Sequence, residues 1–438
     1  MPPRVRNVGL GLVLLCLAGT LFLGFLLKAQ PTSIGTHGVR APCAEGLWKG
    51  QQYTHLCYSD IVPLYGTEHL QGGRIPFLDA CPASAGQCDE YPVLTMFTMY
   101  LAARTATSFG SFFYSNVVLL GLIAGVTAIA LYLMAGRRAL WFALAPTLLI
   151  YGFMNWDLVA VALATTATAA FLARRDLASG ILLGLGAAAK LYPAFLVIPF
   201  AAERFRQRDP DRAIRLFWAA VGAWLLINLP FAIATPHGWA EFFRFNAQRP
   251  ADFDSLWYVG CDLFTGGQNA CLSTFQLGVG SAAAFLVGSI ALWIMKVARQ
   301  PDVPRWTLGF PIIILFLLTN KVYSPQYGLW LLPWFALALP PLGRLTPFRM
   351  FVLFEITDVA VFVSRFSWFG VYRSGSIGGL SGGFFEVALI ARDVVLALCL
   401  VAYVRHRVVP PSRDAAPVEE EQSAERGPEA EAEAEAVA

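Results

Sequence analysis

Charged, amide and phenolic side chains occur in polar segments between strongly apolar runs of this chain. A carboxylate can take a proton from an attacking hydroxyl, and a Lys or Arg side chain can stabilise a departing phosphate. The set therefore suits a transfer between a hydrophilic acceptor and a lipid-phosphate donor. Its members are Asp60, Asp79, Asp89 and Glu90 in one long polar segment, Asn155 and Asp157 in a tight turn, Lys190 at a predicted helix break, and Lys321, Tyr323 and Gln326 in another turn.

The elements that must position these residues are membrane helices. Of the 438 residues, 57% are hydrophobic and 14% are charged, whereas soluble domains carry about 25% charged residues. Several apolar runs approach the roughly 18 to 20 residues that cross a bilayer as a helix. The composition excludes a soluble globular enzyme and predicts an all-α polytopic membrane protein with about 10–12 transmembrane segments.

Charge is distributed unevenly along the chain. Residues 413–438 hold nine acidic and two basic residues, which leaves residues 1–412 with a net charge of about +10. We predict a transmembrane unit over residues 1–412 and a disordered acidic cytoplasmic tail over 413–438. The basic surplus orients the membrane unit and contacts anionic lipid head groups, and it gives no reason to expect nucleic acid.

The positive-inside rule predicts the topology. Arg4 and Arg6 precede the first span, Val8–Leu27, which places the amino terminus in the cytoplasm. A cleaved signal peptide is the alternative, although 20 apolar residues exceed a typical h-region. Alternating crossings then place residues 28–91 and 236–273 outside, with about ten full spans and both termini cytoplasmic. The predicted spans include Ala139–Met154, Gly328–Leu342 and Arg349–Ser364.

One segment needs a different solution. A single crossing by residues 177–202 would leave the arginines between Arg204 and Arg215 outside. We therefore predict a hairpin of two short helices, Ala178–Ala189 and Tyr192–Ala202, that turns at Lys190. An ammonium at such a break could bind a lipid phosphate, or it could be a lysine that snorkels to the interface.

The cysteines support the predicted sidedness. Cys43, Cys57, Cys81 and Cys88 fall in the first predicted outer segment, and Cys261 and Cys271 fall in the second. Even numbers fit disulfides such as Cys261 with Cys271 in an oxidising compartment, although the sequence does not fix the pairing. Zinc binding is the alternative, but no CxxC motif or nearby His pair accompanies these residues.

Charged residues also occur within two late spans. Glu355 and Asp358 lie on one, and Arg392 and Asp393 lie on the next. Antiparallel helices would let Arg392 approach Asp358, so we predict interhelical ion pairing rather than catalysis.

Five stretches carry a resemblance to a known family: Tyr58-Ser59-Asp60, Glu90-Tyr91-Pro92, Asn155-Trp156-Asp157-Leu158, residues 184–193 ending in Lys190-Leu191-Tyr192-Pro193, and Lys321-Val322-Tyr323-Ser324-Pro325-Gln326-Tyr327. They resemble actinobacterial membrane glycosyltransferases of the GT-C superfamily. Family 87 is the most similar, the group with polyprenol-phosphate-mannose-dependent mannosyltransferases and arabinofuranosyltransferases.

The resemblance implies a GT-C-like bundle with a long first extracytoplasmic loop, at a cell membrane with the active site on the extracytoplasmic face. It also implies that Asp60 is the general base of an inverting transfer of a sugar, with mannose preferred, from a polyprenyl-phosphate donor to a glycolipid or glycan acceptor. We expect Lys190 and Lys321 to bind the donor phosphate. The candidates for substrate binding are Glu90, Tyr91, Asn155, Asp157, Tyr323 and Gln326.

No Asp-x-Asp motif lies near Asp60, so the need for a divalent metal stays open, and no cofactor is expected. A transporter or lipid flippase of the cell envelope is the alternative function. Transporters often carry repeated halves with broken helices at corresponding positions, whereas this sequence shows one predicted hairpin. An inactive relative that acts as an assembly partner is a third possibility.

Overall fold

Helices make up nearly all regular structure in the computed structural model, which describes residues 3–34, 40–43, 51–82, 88–265, 271–374 and 380–410. Within these ranges the exception is one antiparallel pair of short strands, β1 (Pro31–Ile34) and β2 (Arg40–Pro42). The predicted all-α class is confirmed. The predicted acidic tail, residues 413–438, lies outside the described residues.

The first half of the bundle contains two long apolar helices and a series of shorter ones. We predicted a single span over Ala139–Met154, and the structure divides this stretch into two short helices, because Leu144 and Ala145 leave the helix ahead of Pro146. Proline lacks an N–H donor and disfavours helical backbone at the residue before it. The helices are α1 (Pro3–Lys28), α2 (Gln51–Thr54), α3 (Ile61–Thr67), α4 (Val93–Ala103), α5 (Phe109–Ala135), α6 (Ala139–Ala143), α7 (Pro146–Tyr151), α8 (Asp157–Leu172) and α9 (Asp176–Ala189).

The second half follows the predicted order, with one span much shorter than expected. The predicted Gly328–Leu342 crossing is an α-helix only over Leu332–Ala338, and a 3₁₀ segment, Pro325–Trp330, precedes it. The helices are α10 (Val197–Arg206), α11 (Pro210–Ala234), α12 (Pro236–Gln248), α13 (Leu256–Thr265), α14 (Thr274–Arg299), α15 (Gly309–Thr319), α16 (Leu332–Ala338), α17 (Pro347–Ser374) and α18 (Gly382–Arg405).

Within the described ranges, five helical stretches are long and apolar enough to cross a bilayer by length and composition. Shorter apolar helices, including α8 and α9, accompany them. The predicted number of crossings stays a prediction. The five stretches are Gly9–Lys28, Phe109–Ala143, Pro210–Ala234, Thr274–Arg299 and Gly382–Arg405.

The predicted break at Lys190 is confirmed. Lys190 ends α9 in extended backbone, and a 3₁₀ turn, Tyr192–Leu196, leads into α10. Helix α9 packs so closely on α11 that a Cβ on Gly184 would lie 2.2 Å from the carbonyl oxygen of Ala220. Only glycine permits this approach. Because Lys190 directly follows α9, the contact fixes the position of Lys190 along the axis of α11.

Ion pairs and disulfides fix the end of the bundle where α9 and α15 end and α18 begins, here named the loop end. Arg392 is fully buried, 4.0 Å from Asp358 and 3.1 Å from Asp393, which confirms the predicted pairing. It also lies 3.7 Å from the centre of the Tyr323 ring. The disulfides are Cys43–Cys57, Cys81–Cys88 and the predicted Cys261–Cys271.

Candidate active site

A cavity of about 870 Å³ lies at the loop end of the bundle. It is lined by segments from across the chain: the residues before α3, the start of α4, the end of α9, α12, the turn after α15 and the end of α17. The structure thus brings together six of the residues proposed from sequence. These are Asp60, Glu90, Tyr91, Lys190, Lys321 and Gln326.

Asp60 is held in this cavity by contacts with distant parts of the chain. Its backbone N–H donates to the Met154 carbonyl at 2.8 Å, and its Oδ1 accepts a 2.7 Å hydrogen bond from the Tyr58 hydroxyl. Burial raises the pKa of Asp60 above its usual value, against the hydrogen bond from Tyr58 and the charge of Lys190. Its carboxylate is therefore a better proton acceptor than an exposed aspartate.

Lys190 lies among aromatic rings with a buried counter-ion behind it. Its Nζ is 3.3 Å from Asp157 Oδ2 and 5.1 and 5.2 Å from the ring centres of Tyr91 and Tyr327. Burial lowers the pKa of Lys190, but Asp157 and Tyr327 outweigh this effect and the net shift is upward. Lys190 therefore stays an ammonium and presents positive charge to the cavity.

Asn155, Asp157 and Tyr323 lie behind the cavity wall rather than on it. The Asp157 side chain is fully buried and accepts a 2.7 Å hydrogen bond from Trp330 Nε1. Asn155 Oδ1 accepts from the Asp157 backbone N–H at 3.0 Å, and Tyr323 is buried beneath Arg392. They can orient the groups that line the cavity, and their predicted binding of substrate stays a prediction.

Three further charged residues line the cavity that sequence reasoning did not single out: Arg249, Asp252 and Arg365. The Asp252 carboxylate lies 3.6 Å from each of the two guanidinium groups. Arg365 also forms a short ion pair with the buried Asp254, whose pKa burial raises to about 6. The sequence signal for these three residues was Arg365, a basic residue directly after the predicted span that ends at Ser364.

Lys321 and Glu90 complete the charged lining. Lys321 Nζ donates to the Ala247 carbonyl at 2.9 Å, and burial together with Arg249 lowers its pKa. Burial raises the pKa of Glu90 to about 7, and the negative charge of Asp60 adds to this shift. At neutral pH the cavity therefore holds several cations around Asp60 and a half-protonated Glu90.

The described residues contain no group of three or more His, Cys, Asp or Glu side chains that could hold a metal ion. The cavity carboxylates are instead spaced among basic side chains. Asp60 bonds to Tyr58, and Asp252 lies between two arginines.

An apolar groove of about 480 Å³ lies beside the cavity. The two share Tyr91, Pro92, Leu191, Phe242 and Phe243. From there the groove follows α11 between Asn228 and Phe217, a distance of about 16 Å at the helical rise per residue. A molecule with a polar head and a long apolar tail could occupy both spaces at once.

The family model described as glycosyltransferase family 87 matches residues 91–325, more than half of the chain. The chain belongs to glycosyltransferase family 87. The predicted family is thereby confirmed, and this family 87 protein is a membrane glycosyltransferase. Lys190 and Lys321 lie within the matched stretch, whereas Asp60 and Glu90 precede it.

Solved structures similar to this family 87 protein include ArnT from Cupriavidus metallidurans bound to undecaprenyl phosphate. That comparison has 16% sequence identity and a TM-score of 0.45, and it covers 90% of this chain and 77% of ArnT. The apo oligosaccharyltransferase of Archaeoglobus fulgidus matches with 12% identity and a TM-score of 0.43, covering 94% of this chain and 59% of the other. No curated protein sequence matches the chain.

Proposed function

We propose that this family 87 glycosyltransferase moves a sugar from a polyprenyl-phosphate donor to a glycolipid or glycan acceptor. One observation carries the proposal: Asp60 and Lys190 line one cavity, and that cavity shares five lining residues with a long apolar groove. A base, a cation for phosphate and a channel for a lipid tail are the parts that such a transfer requires. The resemblance noted in the sequence supports mannose as the preferred sugar.

Asp60 acts as the single general base in the proposed reaction. Its carboxylate takes the proton of an acceptor hydroxyl, whose oxygen forms a bond to the anomeric carbon of the donor sugar. The bond from that carbon to the phosphate oxygen breaks on the opposite face, and the polyprenyl phosphate leaves with the electron pair. The transfer inverts the anomeric configuration, and the departing phosphate needs no proton, unlike the leaving group in glycoside hydrolysis.

Lys190 is the proposed partner of the donor phosphate. It combines a charge held by Asp157 with a position beside Leu191, which lines both the cavity and the groove. A donor with its prenyl tail along α11 would therefore bring its phosphate to the Lys190 ammonium. Arg249 and Lys321 lie on the same cavity and can add positive charge as the phosphate develops its second negative charge.

The reaction is proposed to occur on the extracytoplasmic face, with both termini in the cytoplasm. The distribution of arginines along the sequence supports this orientation. The three disulfides, all in the predicted outer segments, fit an oxidising compartment. Acceptor hydroxyls would then enter the cavity from outside the membrane.

The proposal is tested by sugar transfer with the purified full-length protein in lipid nanodiscs. Labelled polyprenyl-phosphate mannose, or the arabinose analogue, is supplied with a membrane glycolipid extract. We expect Asp60→Asn to lower transfer by about 100-fold or more, as loss of a general base does. The matched control is Asp79→Asn, in the same loop, where the exposed Asp79 accepts a backbone hydrogen bond that asparagine can keep.

Normal transfer by folded Asp60→Asn would remove Asp60 as the base and leave Glu90 and Asp252 as the cavity carboxylates to test. Absence of transfer by the wild type from either donor would contradict the proposed function. Uptake or release of a lipid without sugar transfer would instead favour the transporter alternative.

A further inference from the structure

Asp60 is bonded unevenly at its two carboxylate oxygens. Oδ1 accepts the 2.7 Å hydrogen bond from the Tyr58 hydroxyl. Within the described residues, no protein group donates a hydrogen bond to Oδ2. Because Asp60 lines the catalytic cavity, Oδ2 is the oxygen available to a substrate hydroxyl.

Tyr58 is itself fixed on three sides. Its ring stacks on Phe366 at 5.1 Å and on Tyr53 at 6.0 Å between ring centres. Its backbone carbonyl accepts a 2.7 Å hydrogen bond from Lys28 Nζ at the end of α1. Helices α1 and α17 therefore set the position of the phenolic hydroxyl, and the hydroxyl sets the position of the carboxylate.

We propose that Tyr58 is a positioning residue for the transfer: its hydroxyl holds Oδ1 of Asp60, so that Oδ2 faces the acceptor hydroxyl. This inference rests on the proposed function, in which Asp60 is the general base. Tyr58 also lines the cavity, and the role proposed for its hydroxyl is exerted through the Asp60 carboxylate, to which it donates. A side chain locked by packing and one hydrogen bond keeps a base in the geometry that proton transfer needs.

The same hydrogen bond has an electrostatic consequence. A donor to a carboxylate favours its charged form, and the bond from Tyr58 lowers the pKa of Asp60 against the larger effect of burial. Loss of the hydroxyl should therefore raise the pKa further, and Asp60 would be protonated over more of the pH range. The other charged or titratable groups that act on Asp60 are Lys28, Glu90, Tyr91, Asp157, Lys190 and Arg365, and the substitution Tyr58→Phe leaves all of them in place.

The test compares Tyr58→Phe with Tyr65→Phe in the full-length protein. Phenylalanine keeps the stacking on Phe366 and the carbonyl bond to Lys28. Tyr65→Phe removes an equivalent hydroxyl in the neighbouring helix α3. The Tyr65 hydroxyl donates to the Ala106 carbonyl at 3.3 Å and not to a carboxylate. Sugar transfer under donor saturation is measured from pH 4 to pH 9, and thermal unfolding verifies that each variant is folded.

In Tyr58→Phe we expect the acidic limb of the kcat profile to move upward by about one pH unit. Transfer on that limb should fall about tenfold, and the plateau at high pH should fall by a smaller factor through loss of orientation. Tyr65→Phe should keep the wild-type limb. A purely structural role for Tyr58 would lower the plateau and leave the limb in place, which would overturn the proposal.

A second measurement does not depend on activity. A hydrophobic carbodiimide labels protonated carboxyl groups, and mass spectrometry quantifies the label on Asp60 as a function of pH. The labelling midpoint should move upward in Tyr58→Phe and stay in place in Tyr65→Phe, and an unmoved midpoint in folded Tyr58→Phe would overturn the inference. If wild-type protein transferred no sugar, the proposed function would fail, while the labelling midpoint would still decide whether Tyr58 controls the protonation of Asp60.

Discussion

The Lys190–Asp157 ion pair allows the structural and catalytic roles of one lysine to be separated. Lys190→Met keeps the length of the side chain and its contacts with the Tyr91 and Tyr327 rings. It also leaves the fully buried Asp157 carboxylate without its cation. Breaking a buried pair by removing one partner costs about 3 to 5 kcal/mol of unfolding free energy. We expect about 3 kcal/mol here, because 14% of the Lys190 side chain is exposed to the cavity.

The double variant Lys190→Met with Asp157→Asn should recover most of that stability. Asparagine removes the stranded charge and can still accept the hydrogen bond from Trp330. Replacing both members of a buried pair is often close to neutral, so we expect the double variant to unfold within about 1 kcal/mol of wild type. Chemical unfolding in detergent micelles measures this difference.

Sugar transfer should not recover in the double variant, although stability does. If Lys190 binds the donor phosphate, both variants lose a charge-assisted hydrogen bond of about 1.5 to 3 kcal/mol. That loss is about ten- to a hundredfold in kcat/KM, measured at subsaturating donor with a labelled polyprenyl-phosphate sugar. Asp157→Asn alone keeps the ammonium and should be the most active of the three variants.

The refuting result is a double variant that regains both stability and transfer. Lys190 would then serve only to neutralise Asp157, and the donor phosphate would have to bind at Arg249, Lys321 or Arg365. Loss of transfer with recovered stability supports the assignment, because no structural defect would remain to explain it.

Two further predictions follow from the groove and from Glu90. Val221→Trp fills the groove beside α11 and should raise the KM of a long polyprenyl donor, with a much smaller effect on the KM of a donor with two isoprene units. Val118→Trp, on the exposed face of α5, is the control and should leave both KM values unchanged. Equal effects of Val221→Trp on both donors would place the prenyl tail elsewhere. Because the pKa of Glu90 is about 7 in the folded protein and lower when unfolded, stability should fall as pH rises from about 4.5 to 7. Measured as the thermal unfolding midpoint, this loss of stability with rising pH should be smaller in Glu90→Gln. Part of the loss should remain, because the pKa of Glu68 is also about 7. An unchanged loss would show that Glu90 does not titrate in this range.

Local sequence properties were sufficient for the helical class and for several site residues. Apolar run length and arginine position depend on neighbours along the chain, and they predicted α1, α11 and the break at Lys190. The helix expected over Ala139–Met154 is instead two short helices, because Pro146 interrupts it. The same local view placed Asp60 among four carboxylates of one polar segment, and the family resemblance then selected it as the base; the structure places it in the cavity.

Tertiary packing decided which polar residues meet and which are hidden. Asn155, Asp157 and Tyr323 have the same types as cavity residues, yet the chain buries them behind Lys190 and beneath Arg392. Asp252 and Arg365 lie more than 100 residues apart in sequence and become neighbours only when α17 packs beside the loop before α13. Hydropathy and charge fix whether a segment enters the membrane, because each segment is solvated separately. Which side of a helix faces a cavity depends on the helices around it, and this only the assembled bundle determines.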